Sequence, residues 1–196
     1  MSRRLALLNA VLRRLMKPRL AATETPAQAR RDFDRFAALL LKRPPYLLHL
    51  VEPGRPQLHR FSVGPVSDRA VLLYFHGGGY LAGSPQTHAG LAGHLAQATG
   101  MVVIVPAYRL APEHGAPAAF EDALAAHAAL LRKVGSPGRI VLGGDSAGGG
   151  LALALLAELC RRGEAPSAAF AFSPWVDLTL SGKSLAENAA RDPLLP

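Results

Sequence analysis

An α/β fold, a mostly parallel sheet with helices on both faces, is predicted for this chain by three observations. From residue 71 onward, short and almost wholly apolar runs alternate with longer helical patterns, as expected of strands buried on both faces. Two glycine-rich turns, His76-Gly77-Gly78-Gly79 and Gly143 to Gly150, each follow an apolar strand pattern. Two helical patterns come before any strand, so the chain divides into a helical segment over residues 1–45 and an α/β body over 46–196.

Residues 3 to 17 suit an amphipathic helix, with Leu5, Leu8, Val11, Leu12, Leu15 and Met16 on one arc and Arg3, Arg13, Arg14 and Lys17 opposite. A second helix is marked by Thr25 as cap, Pro26 at the first position, Gln28 completing a capping box, and Phe33, Phe36 and Leu40 at helical spacing. Pro44-Pro45 stops it. His49 to Val51 and Leu58 to Val63 read as short strands around Pro53-Gly54 and Pro56, an antiparallel start. Then come strand Val71 to Phe75, a helix opened by Ser84-Pro85 and ended by Gly100, and strand Met101 to Val105. A helix from Pro117 to Gly135, strand Arg139 to Leu142, helix Ala147 to Arg162 and strand Ala168 to Phe172 complete the alternation.

With 196 residues, 49% of them apolar, the chain can bury one sizeable core. Its single cysteine, Cys160, excludes a disulfide framework, and no secretory signal is readable at the amino terminus; both point to the cytoplasm. No run reaches transmembrane length, so stable membrane insertion is not expected. The net charge of +8 is concentrated at the front, where residues 1 to 60 carry 13 Lys/Arg against 4 Asp/Glu. The cations stand singly or in pairs without interleaved aromatics, which argues against a nucleic-acid surface. No metal-binding spacing appears, and no metal or organic cofactor is expected.

The chemistry is concentrated around Ser146. A serine at a sharp strand-to-helix turn sits in a strained backbone, and the residues two before and two after it press on neighbouring main chain; Gly144 and Gly148 fill those positions. The first N–H groups of the following helix, beginning at Ala147, lie beside the serine oxygen, where a developing oxyanion would use them. The run His76-Gly77-Gly78-Gly79 at the end of the other strand offers bare N–H groups for the second half of the same hole. Ligands of such sheets bind at the carboxyl ends of the strands, where both motifs and Ser173-Pro174-Trp175-Val176-Asp177 fall.

With these residues the chain resembles the hormone-sensitive-lipase-like (family IV) esterases of the α/β-hydrolase fold. The resemblance runs through His76–Tyr80, Tyr108–His114, Gly143–Gly149, Ser173–Leu178 and Asp192-Pro193-Leu194, in the family's order over about residues 65–196. It implies a carboxylic ester hydrolase acting on short to medium acyl chains, with Ser146 as nucleophile and the N–H groups of Gly78, Gly79 and Ala147 as oxyanion hole. His76, Gly77, Gly144, Asp145 and Gly148 are the supporting motif positions. The resemblance also implies that Glu113 and Arg109 form a scaffold ion pair, that His76 is a buried hydrogen-bonding residue, and that the two leading helices form the family's amino-terminal cap. Gly115-Ala116 departs from the family, which usually carries a bulkier residue before Pro117.

In the family the triad runs Ser, then Asp or Glu, then His. Here no histidine follows Ser146: the seven are His49, His59, His76, His88, His94, His114 and His127. Asp177 and Asp192 match other blocks. His114 follows a strand and could approach the cleft, whereas His88 and His127 read as satisfied core histidines. The expectation is therefore an esterase fragment ending at Pro196, without the last strands or the catalytic Asp and His, and the chain alone is inactive on that reading. The alternative is a non-catalytic small-ligand-binding protein on the same fold. The partner expected in either case is a small molecule, with a homodimer left open.

Overall fold

The computed structural model of the chain describes residues 2–193, so Leu194 of the last motif block and Pro196 lie outside the described residues. Residues Arg30–Val176 form one compact unit, which holds the sheet, and the segments on either side form a second. In that second unit a helical run passes through α1 (Arg3–Val11), a π-helical turn (Leu12–Met16) and α2 (Lys17–Ala21). Lys17 Nζ donates to the carbonyls of Ala189, at 2.6 Å, and Asp192, at 3.0 Å, and the Arg13 guanidinium donates to that of Arg191. The short α7 (Lys183–Asn188) belongs to the same unit.

Helix α3 (Pro26–Leu40) begins as its sequence predicts, with Gln28 N–H donating to Thr25 Oγ1 at 3.2 Å. The return half of the capping box is displaced by one residue: Gln28 Oε1 faces the N–H of Glu24, at 3.4 Å, instead of that of Thr25.

The sheet has six strands, β1 (Leu47–Glu52), β2 (Leu58–Val63), β3 (Val71–Phe75), β4 (Val102–Pro106), β5 (Ile140–Asp145) and β6 (Ala168–Phe172), in the order β1-β2-β4-β3-β5-β6. β1 and β2 pair antiparallel, as do β2 and β4; every other pairing is parallel. The crossover helices are α4 (Ala89–Thr99), α5 (Ala118–Val134) and α6 (Ser146–Arg161). Strand alternation sorts the core into two layers. Leu72 and Tyr74 face one side with Phe61, Val103 and Val105, covered by Ala89, Ala92 and Ala96 of α4. Leu73 and Phe75 face the other with Ile104 and Leu142, covered by Leu130 of α5 and Leu151, Leu155 and Leu159 of α6. Alanines on α4 let the helix approach closely, so a thin layer suffices on that side.

Several element boundaries differ from expectation. β1 runs from Leu47 to Glu52 instead of His49 to Val51, the leading helical run continues past residue 17 to Ala21, and β4 is shifted by one residue. Two further differences lie near the glycine turns. Ser84-Pro85 does not open α4: Ser84 N–H donates to Thr87 Oγ1 at 2.9 Å and Thr87 N–H to Ser84 Oγ at 3.1 Å, a closed polar turn that competes with helix, and α4 starts at Ala89. β5 runs three residues past Leu142, through both glycines to Asp145, because Gly143 and Gly144 still pair with Phe170 and Ala171 of β6 and with Tyr74 and Phe75 of β3.

Candidate functional site

β3 and β5 are parallel neighbours, and Phe75 stands opposite Gly144 in the ladder. That register brings the loop after β3 beside the turn after β5. At the turn, Asp145 is still extended, with φ −123 and ψ 146, while Ser146 takes φ 53 and at once becomes the first residue of α6. A left-handed serine costs on the order of 1–3 kcal/mol and persists only where its surroundings enforce it. The enforcement is main chain against main chain. A Cβ on Gly148 would overlap the carbonyls of Phe75 and His76, with the His76 carbonyl carbon at 2.6 Å, and a Cβ on Gly144 would overlap the Gly148 backbone. Ala147 is fully buried.

The loop after β3 is held from inside. His76 is 1% exposed; its Nδ1 lies 2.8 Å from the Gly77 carbonyl, and its ring stacks on Tyr108 at 4.3 Å. Tyr108 donates its hydroxyl to the His76 carbonyl at 2.6 Å. Gly78 and Gly79 take φ values of 125 and 64, and the Gly78 carbonyl accepts the N–H groups of Leu81 and Ala82, which turns the chain away from the strand end. Burial, with a smaller contribution from the neighbouring His88, lowers the His76 pKa to about 3, so the ring is neutral at neutral pH. It is spent on its own loop.

Asp145 joins the two motifs. Its Oδ1 accepts the Gly77 N–H at 3.0 Å and the Tyr74 hydroxyl at 2.9 Å, and the His88 Nε2 stands 3.6 Å away. Burial by itself would raise this carboxyl; His88, the Tyr74 hydroxyl and the Gly77 N–H outweigh it and hold the pKa below the usual value. Burial and the Asp145 charge push the Tyr74 hydroxyl far up, so it remains a donor. The third strand end arrives at the same place. Trp175 N–H donates to the Ser146 carbonyl at 2.8 Å, Gly150 packs against the Trp175 carbonyl, and Tyr80 faces the Trp175 ring at 6.2 Å.

The sequence-predicted residues His76, Gly77, Gly144, Asp145, Ser146, Ala147 and Gly148 are thus brought together, with Gly78 and Gly79 on the adjoining turn. Two expectations are corrected. Arg109 and Glu113 do not pair. Arg109 instead binds Asp122 through its backbone N–H at 2.7 Å and its Nε at 3.0 Å, and Glu121 at 3.0 Å, because both acids lie in the first turns of α5 beside the end of β4. Glu113 pairs with Arg30 of α3 at 2.6 Å, and that hydrogen bond pulls its pKa down to about 2. Arg30 also donates to the carbonyls of Leu81 and Ala111, so one guanidinium pins the chain after both the glycine loop and Arg109. His127, expected to be satisfied, is 2% exposed with no partner for its Nε2. His114 is exposed.

Sequence reasoning missed Tyr74, His88, Asp122 and Arg30. Each acts across a long loop, and only Tyr74, four residues before Gly78 on the motif's own strand, left a local signal. Among the described residues no cluster of His, Cys, Asp or Glu could hold a metal ion, and no helix is long and apolar enough to cross a membrane.

Residues 72–196 match the family of the alpha/beta hydrolase fold. An acetyl-hydrolase from Streptomyces hygroscopicus is 48% identical over 129 residues, 65% of this chain and 43% of that protein. An esterase from Acinetobacter venetianus is 41% identical over 126 residues, 64% of this chain and 42% of that protein. Among solved structures, an esterase from the bacterial hormone-sensitive lipase family superposes with a TM-score of 0.88 at 36% identity, covering 100% of this chain and 65% of that one. A hormone-sensitive lipase from a metagenome library gives 0.86 at 36% identity, again over 100% and 65%. The chain therefore spans less than half the length of these curated relatives and about two thirds of these structures.

Proposed function

We propose, for a chain that belongs to the α/β-hydrolase fold family and to its hormone-sensitive-lipase-like branch, that it carries the nucleophile and oxyanion hole of a carboxylic ester hydrolase. The observation that supports this most is the Phe75–Gly144 register, which sets the His76–Gly79 loop beside the left-handed Ser146. In this reading Ser146 Oγ attacks the acyl carbonyl carbon. The carbonyl oxygen takes up the negative charge and is received by the N–H groups of Gly78, Gly79 and Ala147. The tetrahedral adduct collapses, the alcohol leaves with a proton, and water releases the acid from the acyl-serine.

A serine needs a base within hydrogen-bond reach to give up its proton. His76 is not that base, because its Nδ1 faces the Gly77 carbonyl and its pKa near 3 leaves it a poor proton acceptor. Among the described residues no histidine is hydrogen-bonded to Ser146 Oγ. The reading assigns this chain one part of the catalytic set, and loss of triad members costs on the order of 10⁴ to 10⁶ in rate. No metal or organic cofactor enters the scheme.

The test is hydrolysis of p-nitrophenyl acetate and butyrate by the 196-residue chain beside its Ser146→Ala variant. Without a base the parent should turn over slowly if at all, added imidazole should raise its rate, and that rise should be absent from the variant; an equal rise in both overturns the assignment. Folded protein that binds a short-chain ester saturably without turning it over moves the conclusion to the non-catalytic ligand-binding reading.

A further inference from the structure

The helical run from Arg3 to Ala21 leaves an apolar stripe in solvent. Leu7, Val11 and Leu15 recur at every fourth residue, so they follow one another along one side of the run, and they are 68%, 42% and 53% exposed. Cations border them. Arg14 lies three residues past Val11, and Arg19 continues the four-residue spacing beyond Leu15; both are exposed. The opposite flank is engaged within its own unit, where Arg13 and Lys17 donate to the carbonyls of Arg191, Ala189 and Asp192. From Ser2 to Thr23 the sequence holds six Lys/Arg and no Asp/Glu.

We infer that this face binds an anionic bilayer surface, the helix lying in the plane of the headgroups with Leu7, Val11 and Leu15 at the acyl boundary and Arg14 and Arg19 on lipid phosphates. Three features favour a lipid surface over a protein partner. The stripe is narrow and aliphatic, without the aromatic anchors on which protein interfaces depend. The bordering charge is of one sign and spread along the run, as suits a diffuse field of phosphates. No described helix is long and apolar enough to cross a membrane, so an amphipathic element of this kind lies on the surface and does not span it. The inference stands apart from the esterase reading, since it needs neither Ser146 nor turnover.

Co-sedimentation of the 196-residue chain with vesicles tests it. The vesicles are equimolar phosphatidylglycerol and phosphatidylcholine, or phosphatidylcholine alone, each at low and high salt. The chain should pellet with the anionic vesicles at low salt, and stay in solution with the neutral ones and at high salt. Arg14→Gln with Arg19→Gln should weaken binding about tenfold or more, and Leu7→Asn with Val11→Asn and Leu15→Asn by at least as much. All five side chains are exposed, so both variants should keep the circular dichroism of the parent; the arginine pair decides the question if the aliphatic triple does not fold. No sedimentation with anionic vesicles, equal sedimentation with neutral ones, or undiminished binding by the arginine pair overturns the proposal. A protein captured by this face in place of lipid is one form of that outcome.

Discussion

The backbone N–H of Gly77 donates to Asp145 Oδ1 at 3.0 Å, a bond between the loop after β3 and the turn after β5. The same oxygen holds the Tyr74 hydroxyl, so one carboxylate braces two strand ends whose separation the proposed chemistry depends on. A charged acceptor with two donors makes a stronger brace than a neutral one. The residue before Ser146 is thereby tied to the loop that carries Gly78 and Gly79.

Removing that carboxylate should be costly. Asp145→Ala leaves the Gly77 N–H and the Tyr74 hydroxyl without their acceptor, an expected loss of about 2–4 kcal/mol; Asp145→Asn keeps one acceptor oxygen and should lose about half as much. Tyr74→Phe removes a single donor and should cost about 1 kcal/mol. Urea unfolding measures all three, and an Asp145→Ala midpoint equal to the parent's would refute the brace.

Gly148 and Gly149 are neighbours with different freedom. A methyl at Gly148 overlaps the carbonyls of Phe75 and His76, which can move only with β3, whereas a methyl at Gly149 meets Pro174 Cβ at 3.1 Å and the Gly144 carbonyl oxygen at 3.2 Å, contacts that a shift of a few tenths of an ångström relieves. Gly148→Ala should therefore cost about 2–3 kcal/mol or more and Gly149→Ala under about 1. Parallel urea titrations of the two variants check the order; a reversal would mean that the turn at Ser146 is not packed on the loop after β3.

How much of this was legible beforehand depends on the range of each interaction. β2, β3 and β6 were readable to the residue, because an apolar run between turn residues carries its own boundaries. Ser146, Gly144 and Gly148 were readable for the same reason: steric demand at a tight turn is local. The sequence pattern ends β5 at Leu142 because glycines look like a strand's end, and pairing with Phe170 and Ala171 of β6 and Tyr74 and Phe75 of β3 keeps Gly143 and Gly144 in the sheet. The Arg109–Glu113 pair that the resemblance implies does not form, because the partners these two residues take, Asp122 and Arg30, are set by how α5 and α3 pack. Charge says that a partner is needed, and packing chooses it.

His127 should be better replaced than kept. On α5 it is 2% exposed, and its Nε2 is desolvated without a hydrogen bond, a penalty that an aliphatic side chain of similar size does not incur. His127→Leu should therefore raise stability by about 1 kcal/mol at neutral pH. An unfolding midpoint below the parent's would show instead that the ring makes a bond through bound water.

Acid should weaken the fold well before its carboxylates titrate. Burial, the leading cause in each case, lowers the pKa of His76, His49, His59 and His127 from an ordinary 6.5, to about 3 for His76. Between those two values the unfolded chain binds a proton at His76 that the folded chain refuses, so stability rises with pH across the window and is lost as pH falls from about 6.5 toward 3. The slope from one such group reaches about 1.4 kcal/mol per pH unit. Asp145 acts in the same sense but lower: its pKa lies below the ordinary 3.8, so its contribution is present above that value and disappears as pH falls through the folded pKa. Urea unfolding at pH 8, 7, 6 and 5 should therefore give a plateau above about 7 and a decline below about 6.5. His127→Leu, with one contributor removed, should decline less steeply than the parent. Constant stability between pH 7 and 5 would mean that these histidines take up protons in the folded chain as readily as in the unfolded one, and that the burial drawn around His76 is wrong.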